Sequence, residues 1–112
     1  MTLRFGEVVL IRMQFHQTTG AKIRPAVVLL DTGDDDFVAA PITSQLRHTD
    51  YDLFLEDWRA AGLNVASCVR VHKLSVLPKA DIVRSLARVS TQDADALRNH
   101  LLRAFSPGTL GA

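Results

Sequence analysis

Cysteine is almost missing from this 112-residue chain: Cys68 stands alone. One thiol cannot form an intrachain disulfide, and it suggests no metal cluster. Beside the apolar Val69 and Val71 it reads as a buried structural thiol. An excess of either charge is missing too. Thirteen basic and twelve acidic residues leave a net charge of +1, so any anion site must be local. No apolar run approaches the length of a membrane span. The opening Met1-Thr2-Leu3-Arg4-Phe5-Gly6-Glu7 lacks a secretory pattern. A cytoplasmic protein with no membrane contact is therefore the expectation. Aromatics are few, with a single Trp, and Trp58 is expected to anchor a short helix rather than to stack on a ligand. Repeats, linkers and low-complexity stretches are absent.

What is present is enough for one domain spanning residues 1–112. At this size about two-thirds of the unfolded surface is buried, so the fold would gain from dimerisation. The hydrophobic fraction of 47% suits a packed globule. Two apolar runs stand out. Lys22-Ile23-Arg24-Pro25-Ala26-Val27-Val28-Leu29-Leu30 opens with a basic residue and proline. Phe37-Val38-Ala39-Ala40-Pro41-Ile42-Thr43-Ser44-Gln45 ends in hydroxyls and an amide. Both read as short buried strands whose polar groups sit where strand meets loop. A guanidinium is a planar fork of donors and a hydroxyl can donate to an oxyanion, so Arg24, Thr43 and Ser44 are suited to holding a phosphate. Each also has a plainer reading. Arg24 would then be a surface arginine paired with the acidic loop, and Thr43 a hydroxyl bonded to its own turn.

Other elements follow from periodicity. Val8 to Phe15 predicts a first strand, followed by a polar loop, His16 to Ala21. Asp31-Thr32-Gly33-Asp34-Asp35-Asp36 predicts a solvated hairpin tip, not a calcium loop. Tyr51 to Leu55 predicts a fourth strand, and Glu56 to Gly62 one or two helical turns stopped by glycine. Ser67 to Leu74 alternates, placing Val69 and Val71 on one strand face and Arg70 and His72 on the other. Asp81 to Val89 fits a helix by periodicity and a strand by position, and the strand is favoured. Ser90 is a good N-cap, and Ala94, Leu97, Leu101 and Phe105 form one helical stripe ended by Pro107 and Gly108. The fold class expected is mainly β with α (α+β): a small, partly closed antiparallel barrel with a C-terminal helix.

Four stretches, spread from about Gly6 to Phe105, resemble the MazF/PemK family of toxin endoribonucleases from type II toxin–antitoxin pairs. They are Phe5-Gly6-Glu7-Val8-Val9-Leu10; Arg24-Pro25-Ala26-Val27-Val28-Leu29; Ala40-Pro41-Ile42-Thr43-Ser44-Gln45; and Gly62-Leu63 through Ser67-Cys68-Val69-Arg70-Val71-His72-Lys73-Leu74. The resemblance implies an SH3-like plasmid-maintenance-toxin barrel acting as a homodimer. It implies sequence-selective cleavage of single-stranded RNA, messenger RNA first, without metal or other cofactor. The reaction would be 2′-hydroxyl transphosphorylation, causing growth arrest until a cognate antitoxin lays an acidic segment across the RNA groove. By the same resemblance Arg24 contacts the scissile phosphate, Thr43 is the active-site threonine, Arg70 an acid or phosphate clamp, and His72 stands where relatives carry a carboxylate base. His16, Lys22, Ser44 and Gln45 are candidate RNA contacts.

The side chains can be weighed against that chemistry. A base, donors on the phosphate and an acid for the leaving oxygen are required, and histidine suits proton transfer at neutral pH. His72 is otherwise a histidine packed at a dimer contact. His48 and His100 are bystanders. Two rival functions fit the same fold. One is a CcdB-like gyrase inhibitor, although the C-terminal Gly108-Thr109-Leu110-Gly111-Ala112 lacks that group's Trp-Gly-Ile tail. The other is an inactive barrel that binds RNA or antitoxin without cutting.

Overall fold

A computed structural model of the chain describes residues 2–14, 21–46 and 48–107, with only the backbone of Gln14 and Ala21. Among the described residues, seven strands and one α-helix make up the fold: β1 (Glu7–Gln14), β2 (Ala21–Leu30), β3 (Asp36–Thr43), β4 (Asp52–Phe54), β5 (Cys68–Arg70), β6 (Ser75–Pro78), β7 (Ile82–Arg88) and α1 (Thr91–Ala104). The expected loop from His16 to Gly20, with the candidate contact His16, and the tail from Thr109 lie outside the described residues.

The strands form an antiparallel sheet in the order β4-β5-β3-β2-β1-β7, with β6 also on β3. No ladder among the described residues joins β4 to β7, so the expected barrel is a curled sheet that stays open. Consecutive residues of the inner strands serve different cores. Val8, Val27 and Ala40 pack in one core with Val69, Val71 and Leu97 of α1; Val9, Val28 and Ala39 pack in another with Leu3, Ile11 and Phe37. Burial on both faces explains why these strands read as continuous apolar runs instead of alternating.

The alternating stretch after Ser67 is not one strand. Only Cys68–Arg70 is extended; Val71–Lys73 coils into a 3-10 turn before β6. Both β5 and β6 lie along the same edge of β3. Between the pairs Ile42↔Val69 and Ala39↔Ser75, β3 advances three residues and its partner six. The surplus of three is taken up by the turn, which removes His72 from the strand face expected for it. Glu56 to Gly62 is likewise a coil of turns rather than a helix. One bond runs from the Ala61 N–H to the Asp57 carbonyl. Those from Gly62 N–H to Arg59 and from Leu63 N–H to Trp58 then close it in Schellman fashion around Gly62 at φ 86°. Trp58 is half-buried against the main core, as expected.

At α1, the Ser90 hydroxyl accepts from the Asp93 N–H at 3.1 Å, satisfying one of the helix's orphan donors. The Asp93 carboxylate then does something the capping pattern does not announce. It is buried, and it accepts from the Glu56 and Asp57 N–H groups at 3.0 and 2.9 Å, tying the turn segment to the helix start. Ala94 and Leu97 are buried as the stripe predicts, but α1 ends at Ala104 and leaves Phe105 exposed.

Candidate functional site

The β2–β3 ladder ends early. It runs from Leu30↔Val38 to Ala26↔Pro41 and goes no further, although β2 reaches back to Ala21 and β3 on to Thr43. Pro25 and Pro41 stand at that point, and neither has an N–H to give a ladder. Beyond them the two strand ends part, and an open groove of about 940 Å³ lies there. Lys22 and Arg24 line it from β2, Thr43 from β3, and Ser44 and Gln45 from the loop that follows. The structure thus brings together five of the residues singled out in the sequence. Cys68 of β5, which pairs with Thr43 of β3, is fully buried, as expected of a structural thiol.

The groove has a second wall that the sequence reading did not foresee. Gly62, Leu63, Asn64 and Val65 supply part of it, and Arg84 and Leu86 of β7 the rest. Gly62 is required twice over: its positive φ suits glycine, and a Cβ would lie 2.9 Å from the Leu86 Cβ. The local signal for these residues was weak, because they belong to a turn and to an edge strand brought in by the sheet order.

Polarity is concentrated in a few atoms. Leu10, Pro25, Ile42 and Leu86 give an apolar lining, and three cations stand on it: Lys22, Arg24 and Arg84. No Asp, Glu or His lines the groove among the described residues. Arg24 is exposed, and its guanidinium donates to the Ile23 carbonyl at 3.2 Å. It forms no ion pair with the acidic loop among the described residues, so the plainer reading of Arg24 does not apply. Thr43 Oγ1 accepts from the Gln45 N–H at 3.1 Å. That bond occupies a lone pair and leaves the hydroxyl proton to donate elsewhere.

Arg70 and His72 are placed outside this groove. Arg70 Nε donates to Asp52 Oδ1 at 3.1 Å, and its Nη2 lies 3.5 Å from His72 Nε2. The His72 ring packs on Tyr51 with centroids 5.2 Å apart, and its Nδ1 is enclosed without a hydrogen-bond partner among the described residues. Burial works to raise the Asp52 carboxyl, but the Thr49 hydroxyl and the Arg70 guanidinium outweigh it and hold the group below the ordinary carboxylate range. This is a paired, inward-turned cluster. Through the pair Thr43↔Cys68, Arg70 falls on the diagonal position from Thr43, about 7–8 Å away on an antiparallel ladder.

The acidic tip also differs from expectation at Asp31. Its carboxylate is buried, bonded by Lys79 Nζ at 2.9 Å and by the N–H groups of Leu3 and Gly33 at 2.7 and 2.8 Å. The Lys79 bond, followed by these amides, holds its pKa down to about 2. Among the described residues no three His, Cys, Asp or Glu side chains gather as metal ligands, and no helix is long and apolar enough to cross a membrane.

Comparison with known proteins follows the same lines. A family model described as "PemK-like, MazF-like toxin of type II toxin-antitoxin system" matches residues 4–105. No curated protein matches in sequence. Among solved structures, the Mycobacterium tuberculosis toxin MazF-mt6 superposes with a TM-score of 0.73 at 20% identity, covering 88% of this chain and 95% of that one. A mycobacterial endoribonuclease in complex with its cognate antitoxin gives 0.69 at 16% identity, covering 98% and 96%. A further mycobacterial endoribonuclease gives 0.68 at 14%, covering 88% and 86%. At these identities the superpositions speak for the fold.

Proposed function

The chain belongs to the PemK-like, MazF-like toxins of type II toxin–antitoxin systems, and on that footing we propose that it is an endoribonuclease that cuts single-stranded RNA in the groove between β2 and β3. The observation that carries this reading is the groove's charge: among the described residues it is lined by three cations and a hydroxyl donor and by no carboxylate, in a chain whose net charge is only +1. Such a surface favours a polyanion locally, without a globally basic protein.

The reaction proposed is metal-independent transphosphorylation. The 2′ oxygen of one nucleotide bonds to the adjacent phosphorus, and the bond from phosphorus to the 5′ oxygen breaks. A 2′,3′-cyclic phosphate and a 5′ hydroxyl remain. Charge builds on the non-bridging oxygens as the new bond forms, and donors fixed in place stabilise that state more than the ground state. Arg24 supplies the fork of N–H donors and Thr43 the hydroxyl proton not used within its turn. Lys22 neutralises the backbone alongside, and Ser44 and Gln45 meet the flanking nucleotide. The 2′ proton passes to solvent as the new bond forms, and the 5′ oxygen takes one from solvent as it leaves. Arg70 and His72, facing each other beside β3, are assigned to steadying the strand end that carries Thr43.

The same charge pattern suits an acidic segment of a cognate antitoxin, which would inhibit by occupying the groove. A cytoplasmic homodimer causing growth arrest completes the proposal. The deciding experiment is incubation of the purified protein with a long single-stranded RNA in EDTA, with the ends mapped by primer extension. Discrete cuts, lost in Arg24→Ala, are expected. Intact RNA from a folded, antitoxin-free protein would sink the nuclease reading and leave a binding-only protein or a gyrase inhibitor.

A further inference from the structure

Arg84 has no part in any motif of the sequence, yet it lines the groove from β7 and is exposed. It makes no hydrogen bond or ion pair with a described residue, in contrast to Arg70, Arg98 and Lys79, each of which meets a carboxylate. Nothing in the fold therefore needs its charge. Leaving a guanidinium unpaired beside apolar Leu10 and Leu86, with two other cations in the same groove, costs electrostatic repulsion that an anionic ligand would relieve.

Its position fixes what kind of ligand. Arg84 pairs with Leu10 on one edge of β1, while Arg24 pairs with Ile11 on the other edge. The two arginines are thus two strands apart, about 10 Å between backbones, and their partners Leu10 and Ile11 turn to opposite faces of β1, so the two side chains leave the sheet on different sides. That span suits two phosphates of one strand better than two grips on the same phosphate. We propose that Arg84 is a phosphate-binding residue of the RNA groove, holding a backbone phosphate other than the one that Arg24 and Thr43 activate. The inference rests on the reading of the groove as the RNA site. Because a phosphate carries no base identity, the contribution of Arg84 is the same for every RNA sequence. It positions the strand and does not touch the reacting bond.

The test is the salt dependence of binding to a 2′-deoxy oligonucleotide, which lacks the attacking hydroxyl and separates binding from cleavage. Losing one contact to a single strand reduces the slope of log K against log salt by about 0.7. Arg84→Ala and Arg84→Gln should both show that reduction, alike for unrelated sequences. Arg98→Ala, which removes the same charge from a helix pair outside the groove, should keep the wild-type slope. Thermal melting of each variant confirms that it is folded. If Arg84→Ala and Arg98→Ala have equal slopes while Arg24→Ala loses binding, Arg84 is not a phosphate contact and the groove reading stands. If the Arg84 variants keep the slope but lose affinity for a poly-glutamate peptide, Arg84 serves protein recognition and the RNA assignment falls. If the wild-type protein does not bind the oligonucleotide at all, both readings fall.

Discussion

The two ends of β2 treat charge in opposite ways. Where the strand leaves for β3, past Leu30, Asp31 is buried and held by Lys79 and two backbone amides. Where the strand begins, Lys22 and Arg24 stand beside Arg84 in a groove with no carboxylate among the described residues. Among the described residues, charges that hold the fold meet a charge of opposite sign; charges at the groove meet none. The difference separates stability from function in a domain too small to keep them far apart, and it can be tested residue by residue.

The sharpest test removes the groove's central donor. Arg24→Ala should lower RNA cleavage by roughly a thousandfold, the upper range for losing one oxyanion donor, while an exposed site changes unfolding free energy by no more than about 0.5 kcal/mol. The two are read from initial cleavage rates and a urea titration. A variant that cuts normally but melts early would reverse the assignment of that end of the strand. Asp93→Ala should do the opposite. Its carboxylate satisfies two buried-side amides, and hydrogen bonds to a charged group contribute about 1.5–3 kcal/mol each. A loss of about 3 kcal/mol in urea is expected, with cleavage by the remaining folded protein altered much less.

A smaller effect should appear in acid. The folded pKa of Asp31 lies near 2, against an ordinary 3.8. A depressed carboxyl stabilises the fold fully above its unfolded pKa and loses that contribution as pH falls through the folded one. The advantage of the wild type over Asp31→Asn should therefore be constant above about pH 5 and shrink between about pH 4 and pH 2. A gap that stays the same across that window would mean that Asp31 acts through shape rather than charge. The least effect is expected at Arg98, whose pair with Asp95 at 2.9 Å is exposed on both sides. Arg98→Ala should cost less than about 1 kcal/mol, including its place over the Phe5 ring.

How much of this could be read beforehand depends on how far away the partner lies. The apolar runs of β1, β2 and β3 are local patterns, and so are the Ser90 cap and the glycine that stops the Glu56 coil; each was legible. Arg24 and Thr43 were legible because their chemistry and their strand ends coincide. The 3-10 turn at Val71–Lys73 was not, since its residues alternate as a strand would, and only the spacing of β5 and β6 along β3 forces the coil. The tertiary roles of Asp93, in the first turn of α1, and of Asp31, in the acidic turn, carry no local signal, because their amide partners lie 36 and 28 residues away. Arg84 carries no local signal for the same reason: its place in the groove comes from the strand order, which sets β7 beside β1.

The bond between Asp93 and the amides of Glu56 and Asp57 has one more consequence. The segment it fastens continues through Gly62 to Val65, one wall of the groove. That wall cannot swing out while the helix start stays docked, so the two should open as one cooperative unit. In native-state hydrogen exchange, the amides of Glu56 and Asp57, together with those of Ala61, Gly62 and Leu63 in the coil, should share their protection with the first turn of α1. The width of the groove would then be governed from the far side of the core, by the same event that frays the helix.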